Sequence, residues 1–264
     1  MLLYSEEWAH YPRRILIYLR ERQLPADILS FVPVRFEEAK EYVALDGYPP
    51  KPVRSIPILA IPTSAASPGK EAKYTYIKQS LVILIYLEDL SETPGSDFYT
   101  PGKPSMRGRT ALEKARVAEL LFMIDECATL FRYWYYSGCH LNPEPNIETA
   151  KFMEKNLFDS LEKLNSYFLD RDLEFLCKPL GHAGTEGEGE EPDFMDYVTI
   201  ADCVLFAFFQ YANGMFGRDL SAGKGLEKLR EFWERFGRRE SARLETEYDR
   251  EMQKEAMVWY DGAA

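Results

Sequence analysis

Apolar positions come in short bursts over the first ninety residues and in long helical spacings after that. Leu2 to Tyr4 is a short strand candidate. Pro12 suits the first position of a helix, where a missing N–H is harmless, and Ile15, Leu16, Ile17 and Leu19 give that helix an apolar face up to about Gln23. Ile28 to Val34 reads as a second strand. Phe36 to Leu45 has helical spacing and ends before Gly47, a helix stop. Ser55 to Ile61 is an apolar, β-branched strand with Pro57 near its start, which predicts an edge position or a tight turn. Tyr74 to Ile77 is another short strand. Leu81 to Leu87 follows as an apolar helix that the Ser80 hydroxyl can cap.

Ser91 to Ser105 is rich in Pro, Gly, Ser and Thr and reads as a linker. Thr110 to Tyr136 then runs without Gly or Pro, and Leu112, Ala115, Leu120, Phe122, Met123 and Ile124 mark a long helix. A second spans about Glu148 to Leu169. The acidic, glycine-rich stretch around residues 181–191 is a surface loop by composition. Thr199 with Asp202 three residues on has the spacing of a capping box, and Leu205 to Ala212 is apolar on most faces. Leu226 to Phe236 is helical, and Thr246 to Trp259 extends into a C-terminal helix.

The stretch from Arg54 to Asp89 carries a more specific signal. Ile56-Pro57-Ile58-Leu59 and Gln79-Ser80-Leu81-Val82-Ile83-Leu84-Ile85-Tyr86-Leu87 resemble the "(V/I)-P-x-L … (E/Q)-S-x-x-I-x-x-Y-L" pattern of cytosolic glutathione transferases, theta-like or fungal-type. The Thr199/Asp202 pair resembles that family's buried "(S/T)-x-x-D" box. The resemblance runs to about residue 240 and leaves the last 25 residues uncovered. It implies a thioredoxin-like α/β domain over residues 1–90, a linker over 91–105 and an all-helical domain over 106–264. It also implies a two-fold dimer and glutathione as the cofactor. Gln79 follows Pro57 by 22 residues, more than the family needs, and the polar stretch 63–70 holds the excess as a solvated loop.

The same resemblance implies a site. Pro57 would be cis, and the Ile56 backbone would pair with the cysteinyl unit of glutathione. Gln79 and Ser80 would hold the γ-glutamyl carboxylate at a helix N-terminus, where free N–H groups, a hydroxyl and the helix dipole all favour an anion. Arg54 or Lys51 would lie near the glycyl carboxylate. The theta-like "L-Y-x-x-x-x-S-x-x-x-R" matches Leu3 to Arg13 but puts Ala9 where the catalytic serine stands. Tyr11, Ser5 and Tyr4 are then the candidate donors to the thiolate, and His10 is a further one. Arg13 and Arg14 stand in a helical first turn, where a cation opposes the dipole and a bound anion relieves that conflict. Phe131, Tyr133, Trp134, Tyr135 and Tyr136 cannot all face one side of a helix, so some pack inward and others offer a wall to an apolar substrate.

Composition narrows the function classes. Hydrophobic residues make up 46% of the 264, enough for a normal core, and the net charge of −11 argues against nucleic acid or an anionic membrane surface as partner. No apolar run reaches the roughly 18 residues a membrane span needs. The opening MLLYSEEWAHYPRR lacks the order of a secretory signal, so a cytoplasmic location is expected. Cys127, Cys139, Cys177 and Cys203 form no C-x-x-C pair and, with His10, His140 and His182, no zinc spacing, so no metal is expected. The first 126 residues hold no cysteine, which disfavours dithiol exchange or a cysteine-based transferase. The function expected is glutathione-dependent transfer to an apolar or aromatic electrophile. A glutathione-assisted isomerase and a non-catalytic ligand- or partner-binding module are the alternatives.

Overall fold

In the computed structural model, residues 1–37, 41–63, 73–178 and 196–263 are described. The polar stretch 63–70, apart from Thr63, and the acidic, glycine-rich loop fall outside them. The chain divides into two compact units, Met1–Lys103 and Pro104–Ala264.

The first unit is a five-stranded mixed sheet with two helices. In chain order it runs β1 (Leu2–Ser5), α1 (His10–Glu21), β2 (Ser30–Glu37), β3 (Glu41–Ala44), β4 (Ile58–Pro62), β5 (Tyr74–Ile77) and α2 (Ser80–Glu92). The sheet order is β3-β2-β1-β4-β5. β1 and β2 are parallel and bracket α1, whereas β4 and β5 form an antiparallel pair beside β1. This is a thioredoxin-like plan with one replacement. The helix expected over Phe36 to Leu45 does not form. β2 runs on to Glu37 and pairs antiparallel with β3, setting Phe36 opposite Tyr42 and Val34 opposite Ala44. The Phe36 and Tyr42 rings meet edge-on at 5.1 Å. A cross-strand aromatic pair and a ladder extended by Leu45 N–H to Pro33 O outweigh the weak helical spacing of this segment. Two smaller expectations also shift. Pro12 is the third residue of α1 rather than its first, still inside the turn whose N–H groups have no helical acceptor. Gln79, not Ser80, is the cap residue of α2, and Ser80 is the first helical residue. Pro57 sits in the turn before β4, and the Ile56–Pro57 bond is cis.

α1 and α2 are joined by a buried polar lock. The Glu88 carboxylate, with no exposed surface, accepts from Tyr18 Oη at 2.7 Å, from Arg22 Nε at 3.0 Å and, closely, from Arg22 Nη2. Arg22 also donates to Ser91 Oγ, whose own proton goes to the Glu88 carbonyl. Burial is the largest influence on the Arg22 pKa and lowers it, but the Glu88 charge, its hydrogen bonds and Tyr18 together outweigh it and the net shift is upward. Burial and the neighbouring carboxylate push the Tyr18 phenol well up, so it stays a donor. Contacts of α1 residues 14 and 18 and of the cap residue Arg22 fall on α2 residues 80, 88 and 88–91, so the two helices run parallel.

The second unit is helical: α3 (Ala111–Gly138), α4 (Ile147–Ser166), α5 (Ile200–Phe216), α6 (Glu227–Phe236) and α7 (Arg250–Met257). α5 is its core, with 13 of its residues buried from Ile200 to Phe216. The Thr199/Asp202 capping box is present, and Asp202 also accepts from both terminal nitrogens of the buried Arg171, at 2.5 and 2.9 Å. Of the five clustered aromatics, Phe131 and Trp134 are buried, Tyr133 and Tyr136 are exposed, and Tyr135 stacks on Phe216 at 4.3 Å. Phe131 meets Phe208 and Phe216 edge-on, so it belongs to the core rather than to a ligand wall. The expected helix from Thr246 to Trp259 is only the eight residues of α7. Beyond it the chain turns into a strap. Tyr260 N–H donates to Gly138 O at 2.9 Å, Trp134 Nε1–H donates to Ala263 O at 2.8 Å, and the Arg218 guanidinium lies 4.1 Å over the Trp259 ring. A Cβ on Gly138 would come 3.0 Å from that of Ala263, so glycine gives the strap its room.

Replacing Arg22 by Met strands the Glu88 carboxylate in the interior. The expected loss is about 3–5 kcal/mol of unfolding free energy, read by urea denaturation; a loss within experimental error of zero contradicts the lock.

Candidate functional site

The register of the first sheet brings three separated segments to one end. Tyr4 pairs with Ile58, and Leu59 pairs with Ile77. Ser5, Pro57 and Gln79 lie within two residues of these last pairs in sequence, at the same end of the sheet. The loop from Ser5 to Ala9 leads from the same end into α1. Because α1 and α2 are parallel, both helix N-termini lie there. Neither carries an acidic residue in its first turn, and neither has a side-chain cap. Each helix therefore points first-turn N–H groups and the positive end of its dipole to the same place.

Arg14 links the two helix starts. It is buried, donates to Ser80 Oγ at 3.2 Å and lies 2.9 Å from His10 Nε2. A guanidinium only donates, so His10 Nε2 carries the lone pair and the ring proton is on Nδ1. Burial first, and the Arg14 charge second, hold the His10 pKa well below its usual value, so the ring is neutral. Tyr11 stands beside this pair, its ring 4.8 Å from the Arg14 guanidinium carbon and 4.6 Å from the His10 ring. In the sequence Arg14 stands out only together with Arg13, as a cation near a helix start. The i,i+4 spacing of His10 and Arg14 on a helix was the available signal.

The other expected site residues are placed as follows. Ala9 is the residue that caps α1, with no side-chain hydrogen bond to offer. Tyr4 is buried and donates its phenolic proton to Pro50 O at 3.2 Å; burial, then Tyr76 and Tyr74, raise its pKa. Ser5 is buried at the end of β1. Arg13 is turned to Glu7, 3.3 Å away, which also takes Arg20. The Lys51 ammonium donates to Pro52 O and Arg54 O, bracing that loop, and its pKa is lowered chiefly by burial. Arg54 is exposed, has a φ of 134° and has no ion-pair partner among the described residues. The structure thus brings Ser80, Gln79, Tyr11 and the Ile56–Pro57 turn to one end of the sheet, and turns Arg13 and the Lys51 ammonium to other partners. Among the described residues no three His, Cys, Asp or Glu side chains are grouped to hold a metal. No described helix is long and apolar enough to cross a membrane.

No protein-family model and no curated protein matches the sequence. Solved structures do match in fold. A glutathione transferase family member from Pseudomonas fluorescens Pf-5, with bound S-(propanoic acid)-glutathione, superposes with a TM-score of 0.57 at 14% identity, covering 92% of this chain and 96% of that one. A glutathione S-transferase from Methylobacterium radiotolerans, in complex with glutathione sulfonate, gives 0.57 at 16% identity over 94% and 97%. Leishmania TDR1, a trimeric glutathione transferase, gives 0.58 at 14% identity; 97% of this chain covers 48% of it, so the chain spans about half its length. The likeness establishes the fold: the chain is built as glutathione transferases are, a thioredoxin-like unit followed by a helical one.

The His10 ring gives a pH signature. Its folded pKa lies below its unfolded value, so the unfolded chain binds the extra proton and stability falls as pH drops below about 6.5. The slope contributed is at most about 1.4 kcal/mol per pH unit. Denaturation between pH 5 and 8 is expected to lose that component in His10→Gln, which keeps a neutral acceptor for Arg14; an unchanged pH profile refutes the assignment.

Proposed function

We propose that the first unit binds glutathione across the two helix N-termini and presents its thiolate to an apolar electrophile. The observation that carries the reading is the pair of uncapped, parallel helix starts, with the Ser80 hydroxyl backed by the buried Arg14. In this reading Gln79, Ser80 and the start of α2 hold the γ-glutamyl carboxylate, and the Ile56 backbone pairs with the cysteinyl unit. Exposed Arg54 lies near the glycyl carboxylate, with Lys51 bracing its loop. Glutathione derivatives bound in the Pseudomonas and Methylobacterium structures support the choice of ligand. Association of two copies belongs to the same reading, and light scattering reads it against the 30.6 kDa chain mass.

The thiol chemistry follows from what surrounds Ala9. A free thiol with a pKa near ~8.5 is mostly protonated at neutral pH. The start of α1 supplies about 0.3–1 kcal/mol to a thiolate when exposed and up to ~2 when partly buried, roughly one pKa unit. Ala9 adds no donor. Tyr11 is half-buried and its hydroxyl has no partner among the described residues, whereas the Tyr4 proton already goes to Pro50. Tyr11 is thus the better-placed donor, with Ser5 second. The thiolate attacks the electrophilic carbon, the C–S bond forms, and the leaving group departs with its electron pair. An isomerase would use the same thiolate by reversible addition. The absence of a hydroxyl at residue 9 favours one further reading, a module that binds glutathione without turning it over.

Calorimetric titration tests the binding half: Ser80→Ala is expected to weaken glutathione by about 1–2 kcal/mol, and unchanged affinity in a folded variant removes the site. Thiolate absorbance tests the chemical half. Ala9→Ser is expected to lower the bound thiol pKa by about one unit and raise turnover of generic electrophiles. Tyr11→Phe is expected to raise that pKa. If neither variant moves it, the thiol does not lie at the start of α1.

A further inference from the structure

The geometry points to Arg14 as the positioning residue of this site, one guanidinium that sets the hydrogen-bond polarity of Ser80 and so makes it a donor to the bound carboxylate. The inference rests on the proposed reading of the α2 N-terminus and adds a residue that reading does not require. A serine hydroxyl has one proton and two lone pairs, and it can rotate to present either. Arginine cannot accept. The Arg14 Nη1 contact at 3.2 Å therefore occupies a Ser80 lone pair and leaves the Ser80 proton to face outward from the pair. At a helix start whose backbone groups all donate, that orientation completes a set made only of donors, which suits a carboxylate and disfavours a cationic group.

The second contact fixes the guanidinium itself. Nη2 meets His10 Nε2 at 2.9 Å, one turn earlier on the same helix. With Nη1 on Ser80 and Nη2 on His10, the planar fork spans the first residue of α1 and the first residue of α2. A lysine has the charge but not the fork. Arg14 is also wholly buried, so it acts through Ser80 and through its field rather than by touching solvent. Arg13, its neighbour in sequence, points instead to Glu7.

The test is a double-mutant cycle on the full chain, with glutathione affinity read by calorimetry for wild type, Arg14→Met, Ser80→Ala and the double variant. If Arg14 works through Ser80, Arg14→Met weakens binding about tenfold in the wild-type background and clearly less where Ser80 is already Ala. Arg14→Lys is expected to fall between wild type and Arg14→Met. Equal losses in both backgrounds, or no loss, overturn the inference while leaving the proposed site standing. A wild-type chain that does not bind glutathione overturns both. If Arg14→Met does not fold, the same cycle run with Arg14→Lys decides the question by the same criterion.

Discussion

A carboxylate with no exposed surface must have its charge and its lone pairs answered from within the protein. Glu88 is in that position, and its carboxylate is answered by Tyr18 of α1 and by Arg22, the residue that caps α1 at its C-terminal end. That requirement fixes how α1 lies along α2. It sets their direction as parallel and their register to about a turn. Parallel neighbours place like dipole ends together, which is unfavourable in the empty state. The lock holds them so, and the first-turn N–H groups of both helices collect at the same end. Structure and candidate function are therefore one consequence of where a single buried acid sits.

The helical unit solves a similar problem with different parts. Asp202 is buried as the third residue of α5, where its carboxylate caps the helix through Thr199 and receives the fork of Arg171. A box acid that only capped would leave part of a charge uncompensated in the interior. Arg171 removes that cost and pins the segment before the helix, through Tyr197 O, to its start. Each unit thus contains a buried acid–arginine fork, Glu88 with Arg22 late in α2 and Asp202 with Arg171 at the start of α5.

Much of this was legible in the sequence because it was local. The apolar run of α2, the Gly- and Pro-free length of α3 and the Thr199/Asp202 spacing are set by residues a turn or two apart, and they appear where expected. β3 was missed because its helical spacing rested on few apolar residues, while the deciding partners, Val34 and Phe36 of the preceding strand, outweighed it by pairing. The cap of α2 was read one residue late: Ser80 looks like a cap by type, but its oxygen is taken by Arg14, 66 positions away in sequence. The same distance hid Arg14 itself. Nothing in AHYPRR says which arginine turns inward to a serine and which to Glu7. That choice is made by the packing of α1 on α2, and it is visible only in three dimensions.

The strap at the end of the helical unit has a meaning in time as well as in space. Trp134 and Ala263 are joined by a hydrogen bond across 129 positions. The length term for closing such a loop is about 4 kcal/mol, and the contacts that repay it exist only once α3, α5 and the Gly138 turn are formed. The helices can therefore assemble while the strap is still loose, and the strap can dock only onto a finished surface. Its contacts are made with α3 and with Arg218 just beyond α5, so its release would take no hydrogen bond from within those helices. The indole of Trp134, the Gly138 carbonyl and the Arg218 guanidinium are thus completed by residues 259–263, at the far end of the chain from α3.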